Sequence, residues 1–333
     1  MQRSYYLDLA ARGLRMPVGT DLVLHEQPDP EAIRLDGARL GRVIEQAARR
    51  YATPLAFPLM DLRLEKADLL GAFEVPEAEV DGFHFDRTPP VIPLTHRFAA
   101  RNQAHIDAVR YVAGIGGLLP IGMAIGPFSL STKLMADPIM AVATGDEMAA
   151  CCLALAERAV QRSVAAQIAA GARAVLICEP AANIVYISPR QVERGSDIFE
   201  RFVIAPNLRL KALMEAAEVD LIFHDCGELA PFMVSEFAAR LRPVILSFGS
   251  SRKLWEDAAL VAKDIVLYGN LPTRQFYSDA AMPLERVVDL TRELTARMRE
   301  AGHPHILGSE CDVLHVPEAA ETIRRKVEAM LAA

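Results

Sequence analysis

Leu221-Ile222-Phe223-His224-Asp225-Cys226-Gly227 is the stretch on which the reading of this chain turns. Three apolar residues run into a His, an acid, a Cys and a Gly, the pattern of a short buried strand closed by a turn residue. Side chains alternate along a strand, so His224 and Cys226 leave its end on the same face. An imidazole and a thiolate two residues apart on one face make half of a zinc site. A third ligand must come from elsewhere, and Cys311, in Leu307-Gly308-Ser309-Glu310-Cys311-Asp312, is the best candidate. A lone His or Cys is more often an inert core residue; the pairing is what raises the metal reading.

Working outward, similar apolar runs are centred near residues 17, 55, 121, 175, 244, 265 and 306, which with the run at 221 makes eight strands. Helical patterns separate most of them, including a long one at 145–170. Strands alternating with helices imply parallel pairing through crossovers. Eight such units in 333 residues predict an α/β fold with a closed (β/α)8 barrel, one domain over residues 1–333 with a short N-terminal helical segment at 4–12. The first strand is expected within 16–24 and the second within 54–60, and residues 76–96, rich in Pro, Asp and Gly, read as a long loop with solvated His84 and His96. A doubly wound open sheet is the alternative, but no Gly-x-Gly-x-x-Gly or Walker-type loop follows any strand.

The bulk composition narrows the function. A formal net charge of -7 argues against binding a phosphate backbone, so no nucleic-acid partner is expected. No stretch reaches the roughly 18 uncharged apolar residues of a membrane span, and Met1-Gln2-Arg3-Ser4-Tyr5-Tyr6 does not open a signal peptide. Five cysteines in a chain of this kind read as reduced thiols, which points to the cytoplasm and leaves Cys226 and Cys311 free to act as thiolates.

Barrel enzymes place their chemistry where the strands end at the carboxyl face. His224, Cys226 and Cys311 all fall at or just past expected strand ends, and so do Asp61, Glu179 and Asn270. Structural zinc sites are closed by four protein ligands, whereas catalytic ones keep a position open. His315, four residues past Cys311, could close the site in principle, but reads as a solvated loop residue ahead of the last helix. Two thiolates balance the charge of Zn2+, making a poor generator of hydroxide but a good host for a substrate thiol, which loses its proton on coordination. The chemistry implied is alkyl transfer to sulfur.

These residues belong to a pattern. Arg15-Met16-Pro17-Val18, Asp61 with Glu65 and Leu69-Leu70-Gly71, Gly126-Pro127-Phe128-Ser129-Leu130, Glu179-Pro180-Ala181-Ala182 with Ile187-Ser188-Pro189, His224-Asp225-Cys226-Gly227, Tyr268-Gly269-Asn270, and Cys311-Asp312 ahead of Pro317-Glu318 run through nearly the whole chain. In them the sequence resembles the uroporphyrinogen decarboxylase superfamily, and within it the zinc-dependent methylcobamide:thiol methyltransferases, such as the methylcobamide:coenzyme M enzymes. The resemblance implies His224, Cys226 and Cys311 as zinc ligands, and Asp61 and Glu179 as acids that orient the substrate or tune the ligands. It implies methyl transfer from a methylated corrinoid (cobalamin) to a zinc-activated small thiol. No corrinoid-binding Asp-x-His-x-x-Gly motif is present, so a separate corrinoid protein is the expected partner, and related folds form homodimers. The decarboxylases carry an Arg-Gln-Ala-Gly-Arg run that binds substrate propionates; here Pro17-Val18-Gly19-Thr20-Asp21-Leu22-Val23-Leu24 has no Arg, which disfavours a decarboxylase-like lyase. Another zinc-thiolate alkyl transfer without a corrinoid is the second alternative. Glu310, where many relatives have Gly, and residues 247–253 depart from the pattern and bear on the choice of thiol.

Overall fold

In the computed structural model, residues 3–90 and 92–333 are described; Met1 and Gln2 of the leading segment and Val91 within the 76–96 stretch lie outside them. Seven parallel strands form one curled sheet in sequential order: β1 (Leu55–Ala56), β2 (Leu119–Ile125), β3 (Ala174–Cys178), β4 (Asp220–Asp225), β5 (Ile245–Phe248), β6 (Val266–Leu271) and β7 (His305–Ser309). Helices connect them, the longest being Glu147–Ala169, capped by the Asp146 carboxylate on Ala149 N. No single helix among the described residues is long and apolar enough to cross a membrane.

The two-residue period of the strands divides the core. Ile121, Met123, Ala174, Leu176, Ile222, Ile245, Val266 and Ile306 fill the concave side, while Val175, Ile177, Leu221 and Phe223 face the helical layer. Phe223 is fully buried, 4.8 Å from the Phe237 ring. Truncating such a side chain to Ala costs about 3–5 kcal/mol. His224 and Cys226 continue the parity of Ile222, which turns them toward the concave side. The helix Arg3–Ala11 covers the amino ends of the strands: Tyr6 and Leu9 join the concave core, and Tyr6 Oη donates to Asp220 Oδ2 at 2.8 Å.

The expected strand within 16–24 does not form as such. Residues 15–18 are extended and make only isolated parallel bridges to the β7 side, Arg15 with Leu307 and Val18 with Asp312, and Thr20–Leu24 is a helix. Pro17 has no N–H for a ladder, and Val18 N turns instead to Ser309 Oγ at 3.0 Å. The segment still lies between β7 and β1: Met16 N donates to Leu307 O (3.0 Å), Thr53 Oγ1 to Met16 Sδ (3.0 Å) and Thr20 Oγ1 to Phe57 O (2.6 Å). The expected first strand is therefore an irregular segment, and among the described residues the sheet is a curled one of seven strands rather than the expected closed eight-stranded barrel. His96 is not a solvated loop residue either, since Nε2 contacts Asp68 O at 2.8 Å, whereas His84 is exposed.

Candidate metal centre

β4 ends at Asp225, and Cys226 is the first residue past it; Cys311 is the second past β7. Although 85 residues apart, their sulfurs are 3.9 Å from each other. With a ring nitrogen of His224 they form a group of ligand atoms all within 4.8 Å, His224 buried and both cysteines half-buried. Two thiolates about 2.3 Å from one tetrahedral zinc lie about 3.8 Å apart, so the sulfur spacing fits that ion.

The imidazole is prepared for the same task. β4 and β5 pair with His224 opposite Ser247, which puts Ser247 Oγ 2.9 Å from His224 Nδ1. Nε2 is buried and has no hydrogen-bond partner among the described residues. A hydroxyl on one ring nitrogen and nothing on the other is the arrangement that fixes a metal-binding tautomer. Behind the group, Val18, Phe57, Met60, Leu176, Ile222 and Tyr268 close the interior to a cavity of about 10 Å³, room for roughly one water, so a ligand must arrive from the solvent side.

The two sulfurs shift each other's acidity in opposite directions. The hydrogen bond between the two sulfurs, helped by His224 and Arg274 and opposed by burial, draws the Cys311 thiol down, and the same bond together with burial pushes Cys226 up. Arg274, just past β6, brings Nη2 to 3.1 Å from Cys226 Sγ. Burial works against its charge, but the two sulfurs more than offset this and strengthen its hold on the proton. Glu310 secures that loop: Oε1 accepts from Arg274 N (3.2 Å), and Oε2 from Ser250 N (3.1 Å) and Ser250 Oγ (2.5 Å).

The other strand-end residues lie outside this group. Glu179 is fully buried, and burial raises its pKa. Its Oε1 accepts from Phe128 N (3.1 Å) and Asn207 Nδ2 (2.8 Å), and its Oε2 from Ser129 N (2.8 Å). It thus clamps the start of the short helix Pro127–Thr132, so tightly that a Cβ on Gly126 would stand 2.0 Å from Glu179 Cδ. Asp61 pairs with Arg101 Nε at 2.7 Å and accepts from Arg63 N at 3.2 Å. Asn270 Nδ2 donates to Gly249 O (2.8 Å) and Arg252 O (2.9 Å), bracing the β5 loop. His315 is half-buried and stacks on His25 at 4.4 Å. Sequence reading flagged Ser247 only as part of the divergent 247–253 stretch, missing its place beside His224, and missed Arg274 altogether. Ser247 carries a signal in hindsight, as an inward-facing polar residue in an otherwise apolar strand beside His224; Arg274 carries none beyond its place after a strand.

A solved structure described as a methyltransferase from Methanosarcina mazei has the same fold, with a TM-score of 0.71 over 99% of this chain and 98% of that chain, at 15% sequence identity. No curated protein matches this sequence. Residues 81–332, well over half of the chain, match the family described as Uroporphyrinogen decarboxylase (URO-D), and the protein belongs to that family.

Proposed function

We propose that this protein is a zinc-dependent methyltransferase that moves a methyl group from a methylated corrinoid, carried by a separate corrinoid protein, to a small thiol. The observation that carries this reading is the convergence of His224, Cys226 and Cys311 from β4 and the end of β7 into one three-ligand group. Three donors hold a zinc ion and leave a fourth position open. Zinc bound there supplies a place where a thiol gives up its proton and becomes a nucleophile at neutral pH. Such a transfer would exchange the donor's bond to the methyl carbon for a carbon–sulfur bond, the bonding pair leaving with the donor and the thiol proton going to solvent.

The chain's own residues prepare this chemistry. Ser247 holds His224 in one tautomer, and the apolar floor formed by Ile222, Leu176 and Tyr268 keeps bulk water from the interior side. We assign Asp61 and Glu179 to positioning, Glu179 by fixing the loop between β2 and its helix and Asp61 by holding Arg101. Residues 17–24 carry no Arg, which favours methyl transfer over the decarboxylase-like alternative. The described name of the structural neighbour agrees with this choice.

The test is metal analysis of protein expressed with zinc, followed by transfer from methylcobalamin to thiols, read by the loss of the methylcobalamin spectrum. About one zinc per chain and thiol-dependent demethylation are expected. Zinc-free protein would sink the proposal; zinc with no demethylation, but alkylation of a thiol by another donor such as an epoxide, would select the corrinoid-free alternative.

A further inference from the structure

A cavity of about 240 Å³ lies between the helices Leu64–Gly71 and Ala100–Ala113. It shares no lining residue with the small cavity behind the metal centre. Leu64 and Ala67 form an apolar wall together with Leu35, which is 59% exposed. The other wall is the first turn of the helix Ala100–Ala113, from Ala99 to Asn102. Ala99 stands at the N-cap, so no side chain caps that turn. The first N–H groups of a helix have no partner within it and carry the positive end of its dipole.

Asn102 supplies a second, independent polar group. It is 1% exposed and lines the cavity, and neither its Nδ2 nor its Oδ1 has a hydrogen-bond partner among the described residues. Buried side-chain amides are nearly always paired, so one left this way in a cavity wall suits the polar end of a ligand. His105, one turn further along the same face, is also buried with neither ring nitrogen partnered. The nearby acids do little to repel an anion. Asp61 faces Arg101, while Glu77 and Asp81, both mostly in solvent, hold Arg63.

Donors thus line one wall of the cavity and apolar side chains the other. A carboxylate on a short apolar body satisfies both. An apolar cavity of about 150 Å³ holds benzene, so this one takes a molecule of roughly benzoate's size. We propose that the cavity binds a small organic acid, its carboxylate accepting from Asn102 Nδ2 and the first-turn amides, its apolar body lying against Leu35, Leu64 and Ala67. A phosphate ion has the charge but no body to cover that wall. The site does not depend on the zinc–thiol reading.

Calorimetry on the full chain with benzoate and hexanoate tests this, with benzamide and inorganic phosphate as comparisons. Saturable binding of at least one acid is expected, with benzamide and phosphate weaker by roughly tenfold or more. Asn102→Asp keeps the shape but sets a negative charge beside the carboxylate, and should weaken acid binding roughly ten- to a hundredfold. Ala100→Glu covers the case in which that buried change unfolds the protein. Ala100 is exposed, and an acid in a helix's first turn is stabilising. Its carboxylate competes for the same amides, so binding should weaken with no fall in the urea midpoint. No saturable binding of either acid, equal binding of benzamide or phosphate, or undiminished binding by Ala100→Glu overturns the proposal. Cys226→Ala, which removes a candidate zinc ligand, should bind the acids as the native protein does; loss of binding there would put the acid at the metal centre and overturn the separate site.

Discussion

Replacing Ser247 by Ala removes one oxygen atom and should cost the centre most of its metal affinity. Ser247 is 3% exposed, and its Oγ lies 2.9 Å from His224 Nδ1 on the neighbouring strand. With zinc on Nε2, the ring proton sits on Nδ1 and is donated to that hydroxyl. In the Ala variant the buried N–H has no acceptor, at a cost of about 1–3 kcal/mol. Loss of a hydrogen bond that orients a ligand lowers metal affinity about 10–100-fold, which is about 1.4–2.7 kcal/mol; the two routes agree because they describe the same bond. The assay is competition for zinc with a chelator at fixed pH, with urea unfolding of the metal-free variant as the control for the fold. Ser247→Thr keeps the hydroxyl and should recover most of the loss. If Nδ1 faced the metal instead, the hydroxyl would compete with it, and Ser247→Ala would bind zinc as well as or better than the native protein. That result would refute the tautomer argument.

Three other outcomes are expected. Cys311→Ala should abolish stoichiometric zinc binding while shifting the urea stability of the metal-free protein by only about 1 kcal/mol, since the side chain is half-buried; retained zinc would remove Cys311 from the ligand set. Glu179→Ala strands three buried donors and should cost about 3–5 kcal/mol in urea unfolding; a loss under about 1 kcal/mol would contradict the clamp. His105 is 2% exposed, and burial drops its pKa to about 4. The unfolded chain therefore takes up this proton first, and stability should be full near pH 7 and fall between about 6.5 and 4, by up to about 3 kcal/mol. His105→Gln should flatten that part of a urea-midpoint profile, and an unchanged profile would exclude His105 as its source.

The chemistry-bearing ends of the strands were legible because the strands are buried on both faces. Leu221-Ile222-Phe223 is apolar without interruption, so its limits and its terminal Gly stand out, and the two-residue period then assigns His224 and Cys226 to one face. The convergence with Cys311 followed from alternating strands and helices, which bring successive carboxyl ends to one side. Residues 16–24 misled for a physical reason. Their apolar pattern suits a strand, but Pro17 breaks the ladder and the packing of Leu22, Val23 and Leu24 into the helical layer makes the rest a helix. Glu179 and Asn270 look alike in sequence to ligands at strand ends; only their hydrogen-bond partners, backbone amides for one and carbonyls for the other, show that they brace loops. The company of Arg274, Glu310 and Ser250 depends on how three loops meet, which no local pattern encodes.

The bridge between Arg15 and Leu307 has a consequence for synthesis on the ribosome. Its partners are separated by 292 residues (307 − 15), so at about 5–20 residues per second the early segment waits roughly fifteen seconds to a minute for β7 to be made. Throughout that interval Met16 and Val18, 0% and 4% exposed in the finished protein, lack the β7 side of their burial. The nascent chain thus carries a sticky leading segment until its last strand emerges, and this is the stretch a chaperone would be expected to shield.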